Sequence, residues 1–313
     1  MRTVAVTNHK GGSAKTTTTV NLAAALGELG HSVLVIDMDP QASASAWLGV
    51  PDADSSVLEA IRGRDELSHL VHETTAPGVH LVPASPGLVA SDRREETDIA
   101  LGFMGAMERL PGQWDVVLVD CPPSLGYLAI APLTVCREAL VPVEAHVLAM
   151  AGLASLLETM SRIRARLNPR LELAAVLACR VNRTAHAREV VERLERRFPD
   201  TFMRTQIREN IRLAEAPSFR LPITLYAPAS TGAEDYRAAA EELFGPGPGT
   251  VRRVHRVIAP PPAFVTAPEP AQPSRWARLM SLMPSRLRER IGEGGAVRSA
   301  AVKSGRGDDQ AEW

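Results

Sequence analysis

Apolar residues along the chain fall in short dense runs, each followed by a polar or glycine-bearing turn and then by a segment of helical spacing. The first run, Arg2–Thr7 (RTVAVT), has the length and composition of a buried strand. Thr16–Leu29 predicts a helix, and Gly30 stands where a left-handed C-terminal stop belongs. Further strands are predicted at Ser32–Ile36, Val79–Pro83, Asp115–Val119, Ala139–Val143 and Leu173–Cys179. The clearest later helices are Leu153–Leu167, Arg188–Phe198 and Gly232–Phe244. Strands alternating with helices predict an α/β fold, a doubly wound and mostly parallel sheet flanked by helices. Ligands bind such sheets beyond the carboxyl ends of the strands. Three polar stretches fall at strand ends: residues 8–16, the Asp37–Asp39 turn and Leu118–Ser124.

The pattern stops after Phe244, so residues 1–244 are expected to form one globular domain. Residues 245–274 contain eight prolines, which predicts a stiff, extended linker. Residues 275–313 form a basic tail. In it Trp276, Leu279, Met280, Met283, Leu287 and Ile291 recur at helical spacing among arginines, and Pro284 splits that segment. The formal net charge of −1 hides this asymmetry, because residues 245–313 carry 11 Arg or Lys against 6 Asp or Glu. Apolar residues at 45% and charged residues at 23% are ordinary for a soluble domain of this size. Cys121, Cys136 and Cys179 lack metal-ligand spacing and read as reduced thiols of a cytoplasmic protein. No secretory signal opens the chain. The most apolar stretch, Ala139–Leu157, contains Pro142, Glu144 and His146 and reads as a strand followed by a helix, not a membrane span.

The stretch "NHKGGSAKTTTTVN", residues 8–21, resembles a phosphate-binding loop but departs from G-x-x-x-x-G-K-[ST], since His9 and Ala14 occupy the glycine positions. Gly11 and Gly12 permit close backbone approach. The helix that opens at Thr16 and Thr17 aims its first amides at whatever the loop holds. Lys15 suits the β- and γ-phosphates, and the Thr16 hydroxyl suits a magnesium ion. Should position 14 need positive φ, its alanine costs about 1 kcal/mol. Only three of the 35 cationic residues are lysine, and two of them are Lys10 and Lys15. Indifferent placement would put two lysines there roughly one time in two hundred, so the compact ammonium is being selected over guanidinium. Asp120 closes an apolar strand, where a carboxylate can hold a magnesium-bound water. Asp37 and Asp39 share one side of the chain while it stays extended, so both are expected to face the phosphates, with Asp39 better placed to orient a water.

Together the segments "NHKGGSAKTTTTVNLAAAL", "VLVIDMDPQ", "WDVVLVDCPPSLG", "LVPVEAHVLAMAGL" and "NIRLAEAPSFRLPITLYAPASTGAEDYRAAAEEL" resemble the ParA family, its Soj-like members above all, within the ParA/MinD group of deviant-Walker-A ATPases. The resemblance runs from residue 8 to residue 243 and implies the following roles. Lys10 reaches the nucleotide of a partner in an ATP-bound homodimer, while Lys15 acts in cis. The loop Lys10, Gly11, Gly12, Ser13, Ala14, Lys15, Thr16 and Thr17 holds ATP, with Asn182 and Asn210 as further nucleotide contacts. Thr16, Asp39 and Asp120 surround Mg2+, and Asp39 positions the hydrolytic water. Arg183 and Arg212 contact non-specific DNA. There are departures: Ala14 replaces the common glycine, "IREN" (Ile207–Asn210) replaces "IPRN", and Thr231 lacks a basic side chain. Glu144, His146 and Ala151 replace the more usual Gln, Glu and Glu.

The function so implied is a chromosome- or plasmid-partitioning ATPase of weak intrinsic activity, cytoplasmic and nucleoid-associated, released from DNA by a ParB-like centromere-binding partner. Two alternatives share the motif: a MinD-like membrane-associated positioning ATPase that would use Arg275–Ile291, and a nucleotide-switched scaffold for another cargo. Membrane binding is the less favoured use of that segment, because Pro284 leaves its apolar face short.

Overall fold

A computed structural model describes residues 1–50, 55–89, 93–123, 126–146, 149–245 and 247. Apart from residues 245 and 247, the linker and tail expected over 245–313 lie outside the described residues, as does Ser124.

Strand β1 (Arg2–Val6) leads through the loop into helix α1 (Lys15–Glu28), and β2 (Val33–Asp37) follows. Two short helices, α2 (Ser43–Trp47) and α3 (Val57–Ile61), precede the edge hairpin of β3 (His72–Glu73) and β4 (Val79–Val82). Then come α4 (Arg93–Glu108), β5 (Val116–Asp120), α5 (Tyr127–Val135), β6 (Glu138–Glu144), α6 (Ala149–Arg166) and β7 (Glu172–Cys179). The domain closes with α7 (Ala185–Arg197), α8 (Ile211–Glu215), α9 (Ile223–Tyr226) and α10 (Thr231–Phe244). The seven strands pair in the order β3-β4-β2-β5-β1-β6-β7, parallel throughout except for the antiparallel β3.

Both faces of the sheet are covered, which is why its strands are apolar at nearly every position. Alternation still sorts the side chains. Val4, Val33, Val35, Val116 and Leu118 pack under α1 and α10, whereas Ala5, Leu34, Ile36, Val117 and Val119 pack under α3 to α7. Helix α1 ends as its sequence predicts. Gly30 takes φ 88, its N–H donates to Gly27 O, and the His31 N–H donates to Leu26 O, the paired bonds of a Schellman stop.

The six expected strands lie within one residue of those observed at each end. Helices α6 and α7 begin earlier than their periodicity indicates, because α7 is started by the Thr184 hydroxyl capping Ala187 N–H and not by an apolar stripe. Helix α5 gave no periodic signal, being largely buried and interrupted by Pro132. The stretch Ala139–Leu157 is strand then helix, as read, and among the described residues no helix is long and apolar enough to cross a membrane.

Register does the work of assembling a site. Asp120 stands opposite Val6 on one side and Asp37 on the other. The carboxyl ends of β1, β2 and β5 therefore lie side by side, and three segments far apart in sequence meet there.

Candidate nucleotide site

The loop between β1 and α1 is pinned before it reaches the helix. Asn8, almost fully buried, donates from Nδ2 to Pro142 O (2.8 Å) and accepts the Lys10 N–H on Oδ1 (3.2 Å). Gly12 takes φ 73, and Ala14 takes φ 66 and ψ 25, the left-handed region. Alanine there carries the expected strain, about 1–2 kcal/mol. Ala14 is also the N-cap of α1 and offers no side-chain cap. The first amides of a 14-residue helix are thus left to point into a cleft, with the positive end of the helix dipole behind them.

That cleft has a volume of about 770 Å³. Gly12, Ser13, Ala14, Lys15, Thr16 and Thr17 form its floor, and Asp39 and Pro123 flank it. Cys179, Arg180, Ile207, Arg208, Glu209, Asn210, Ile211, Leu213, Ala214 and Tyr236 form the far wall.

Lys15 is 6% exposed, and its ammonium donates to Lys10 O at 3.1 Å. Burial pushes its pKa below the ordinary lysine range, against the opposing pull of Asp120, Cys121 and Asp39. A desolvated cation of this kind is relieved by an anion brought close to it. Ser13 Oγ is buried in the same floor with no hydrogen-bond partner among the described residues.

Asp120 is fully buried at the end of β5. Thr16 Oγ1 donates to its Oδ2 (2.7 Å) and Thr19 Oγ1 to its Oδ1 (2.9 Å). Burial, then the charge of Asp37, pushes its pKa up to about 8 despite those two hydrogen bonds. A carboxylate so placed beside a hydroxyl is suited to a hard divalent cation, which takes oxygen ligands and neutralises the cluster. The orphaned Ser13 hydroxyl, the buried ammonium, the uncapped helix amides and the Thr16–Asp120 pair fit a magnesium triphosphate.

Asp37 corrects one expectation. It does not share the cleft with Asp39. As the last residue of β2 it is fully buried and accepts from Asp39 N–H (3.0 Å), Ser45 N–H (2.9 Å) and Ser45 Oγ (2.7 Å). Strand β2 ends at Asp37 and the chain turns at Pro40–Gln41, so the two-residue alternation that would align the carboxylates does not extend to Asp39. Burial pushes the Asp37 pKa up to about 6. Asp37 shapes the turn, and Asp39, 9% exposed with Oδ1 accepting from Gln41 N–H (3.0 Å), is the one that meets the cleft.

The other expected residues distribute as follows. Asn210 lines the cleft, caps α8 by accepting Arg212 N–H (2.8 Å), and donates to Thr231 Oγ1 (2.7 Å). Asn182 is exposed outside the lining, where its Oδ1 accepts from Thr184 Oγ1 (2.7 Å) in the turn before α7. Gly11 and Lys10 flank the lining without joining it, and the Lys10 ammonium pairs with Glu144. Arg183 and Arg212 are exposed, the latter 2.8 Å from Glu215 Oε2. Glu209 lines the cleft, so the "IREN" departure falls on the site itself.

Several participants escaped sequence reading. Thr19 was legible in principle, since it stands three residues after Thr16 on the same helix face. Asn8, Tyr236 and Arg208 were not, because their roles depend on contacts across more than 25 positions. Arg208, for example, is held by Asp235 with Nε and Nη2 contacts of 3.0 and 2.6 Å.

A glycine-bearing loop at the end of β1, a hydroxyl–carboxylate pair across to β5 and a mostly parallel sheet between helices define the P-loop NTPase fold. A family model described as an AAA domain matches residues 1–173. The chain is 42% identical to the chromosome-partitioning ATPase Soj of Thermus thermophilus over 246 residues, which is 78% of this chain and 96% of that protein. It is 36% identical to the sporulation initiation inhibitor protein Soj of Bacillus subtilis, over 78% of this chain and 98% of that one. Among solved structures, cobyrinic acid a,c-diamide synthase from Mycobacterium smegmatis with bound ADP and magnesium is similar at 32% identity and a TM-score of 0.64, covering 77% and 93% of the two chains. The chain belongs to the ParA family of the ParA/MinD ATPases, among its Soj-like members.

Proposed function

We propose that this chain is an ATP-dependent DNA-partitioning ATPase that pairs on binding ATP, holds DNA without sequence preference and hydrolyses ATP when a ParB-like partner engages it. The observation that carries the reading is the meeting, in one cleft, of the uncapped α1 N-terminus, the buried Lys15 ammonium and Thr16, whose hydroxyl donates to Asp120, fully buried behind the lining. The similarity to the chromosome-partitioning ATPase Soj of Thermus thermophilus over nearly its whole length supports the partitioning role.

In this reading the amides of Lys15, Thr16 and Thr17 and the Ser13 hydroxyl bind phosphate oxygens, and Lys15 neutralises the β- and γ-phosphates. Thr16 and Asp120 would hold the magnesium ion, which when bound draws charge from the phosphate oxygens. Asp39 orients the attacking water, its carboxylate fixed by the Gln41 amide and its backbone by Asp37. Hydrolysis breaks the bond from the γ-phosphorus to the bridging oxygen, with water supplying the new oxygen. Lys10 serves the triphosphate of the other copy. The wall from Ile207 to Ala214 receives the base, with Asn210 in contact. Asn182, exposed in the turn before α7, is a further nucleotide contact. Arg183 and Arg212 contribute DNA phosphate contacts, positioning without reading sequence.

The test measures turnover and DNA binding of the full-length chain. Asp39→Ala should keep ATP and DNA binding and lose turnover, and random-sequence duplex should bind with an affinity that falls steeply as salt rises. Equal turnover by wild type and Asp39→Ala, or DNA affinity indifferent to salt, sinks the reading.

A further inference from the structure

The Lys10 ammonium is spoken for. It lies 3.1 Å from Glu144 Oε2, and the other oxygen of that carboxylate accepts a 2.7 Å hydrogen bond from Arg180 Nη1. The Lys10 backbone is tied to the same strand end, because Asn8 both accepts its N–H and donates to Pro142 O, two residues before Glu144. Lys10 is therefore folded back onto the carboxyl end of β6, beside the cleft and not in it. The side chains are 34% and 15% exposed, so the pair is partly shielded from water.

We propose that Glu144 is a positioning residue that holds the Lys10 ammonium on its own protomer and so sets the ATP threshold for pairing of two chains. The inference rests on the role given above to Lys10 at a second copy's triphosphate. Pairing then exchanges a carboxylate contact for a phosphate contact, and a dimer makes that exchange twice. Arg180 keeps the exchange reversible. Its backbone sits in the left-handed region at φ 52, and its largely exposed guanidinium stays on Glu144 when the lysine leaves. The half-buried carboxylate is thus never left without a cation, which is what makes breaking a buried pair severe elsewhere.

A partly exposed ion pair of this kind holds its partner by about threefold in equilibrium terms, so two of them restrain the dimer by about tenfold. The experiment is sedimentation equilibrium of the full-length chain and of Glu144→Gln, with magnesium and a non-hydrolysable ATP analogue or ADP. Glu144→Gln keeps the shape and removes the charge. It should tighten the analogue-dependent dimer about tenfold, while monomer nucleotide affinity and melting temperature stay at wild-type values. Glu144→Asp, which retains the charge, should restore a weaker dimer. A dimer constant for Glu144→Gln within twofold of wild type, or weaker than it, overturns the proposal. If both proteins bind the analogue and neither pairs, the trans role of Lys10 falls, and this inference with it. Pairing by Glu144→Gln where wild type stays monomeric supports both.

Discussion

Replacing Gly27 by alanine sets two physical effects against each other, and the structure decides the sign. Gly27 lies in the last turn of α1, where helix propensity alone predicts that alanine stabilises by about 1 kcal/mol. A Cβ at that position, however, would stand 2.3 Å from the Pro77 carbonyl oxygen. That is about 1 Å inside ordinary contact distance. The Pro77–Gly78 turn cannot retreat freely. Gly78 O accepts the Val33 N–H (2.9 Å), the Val79 N–H bonds back to Ala76 O (3.1 Å), and Thr74 Oγ1 donates to Val79 O (2.7 Å). Overpacking against backbone held in this way costs about 2–3 kcal/mol, leaving a net destabilisation of about 1–2 kcal/mol. For a domain of this length that lowers the melting temperature by roughly 3–6 °C. Urea unfolding should show a lower midpoint at unchanged slope. A midpoint equal to or above wild type would refute the claim that close approach, and not conformational freedom, puts glycine there.

Asn8→Ala removes the bond to Pro142 and the acceptor for Lys10 N–H, so it should lower stability by about 1–2 kcal/mol and weaken ATP binding about tenfold; unchanged affinity in a nucleotide titration would mean the loop needs no pin. Thr19→Val keeps the volume but leaves the buried Asp120 carboxyl with one donor fewer, for a loss of about 1–2 kcal/mol read by urea unfolding. A loss under about 0.3 kcal/mol would show that Thr16 alone satisfies Asp120. Cys121, Cys136 and Cys179 are all at most 1% exposed, and burial raises their thiol pKa values, that of Cys179 to about 12. Thiol reagents at pH 8 should therefore label all three only at the rate of unfolding, and rapid labelling of the native protein would contradict this.

The first half of the site was legible because it is local. Residues 8–17 are consecutive, and a turn, a helix start and a lysine on a glycine-bearing loop are written in one stretch of chain. Strands were equally legible, since burial on both faces leaves unbroken apolar runs that end at the polar residues of the site. Ala14 shows how far local reading reaches: the sequence gives the cost of alanine only on the condition of a positive φ, and the structure supplies the angle.

What the sequence could not determine is which carboxylates meet. Asp37 and Asp39 look equivalent in the one-dimensional pattern, and only the end of β2 at Asp37 sends one to Ser45 and leaves the other to the cleft. The far wall from Ile207 to Ala214 and the Glu144 contact with Lys10 depend on the order of β1, β6 and β7 in the sheet. Local propensity is fixed by neighbours within a few residues, so the chain alone settled six of the seven strands, the stop of α1 and the phosphate loop, but not the two-residue edge strand β3. Register and layer packing couple residues more than a hundred positions apart, and they decided that Lys10 meets Glu144 and Thr16 meets Asp120.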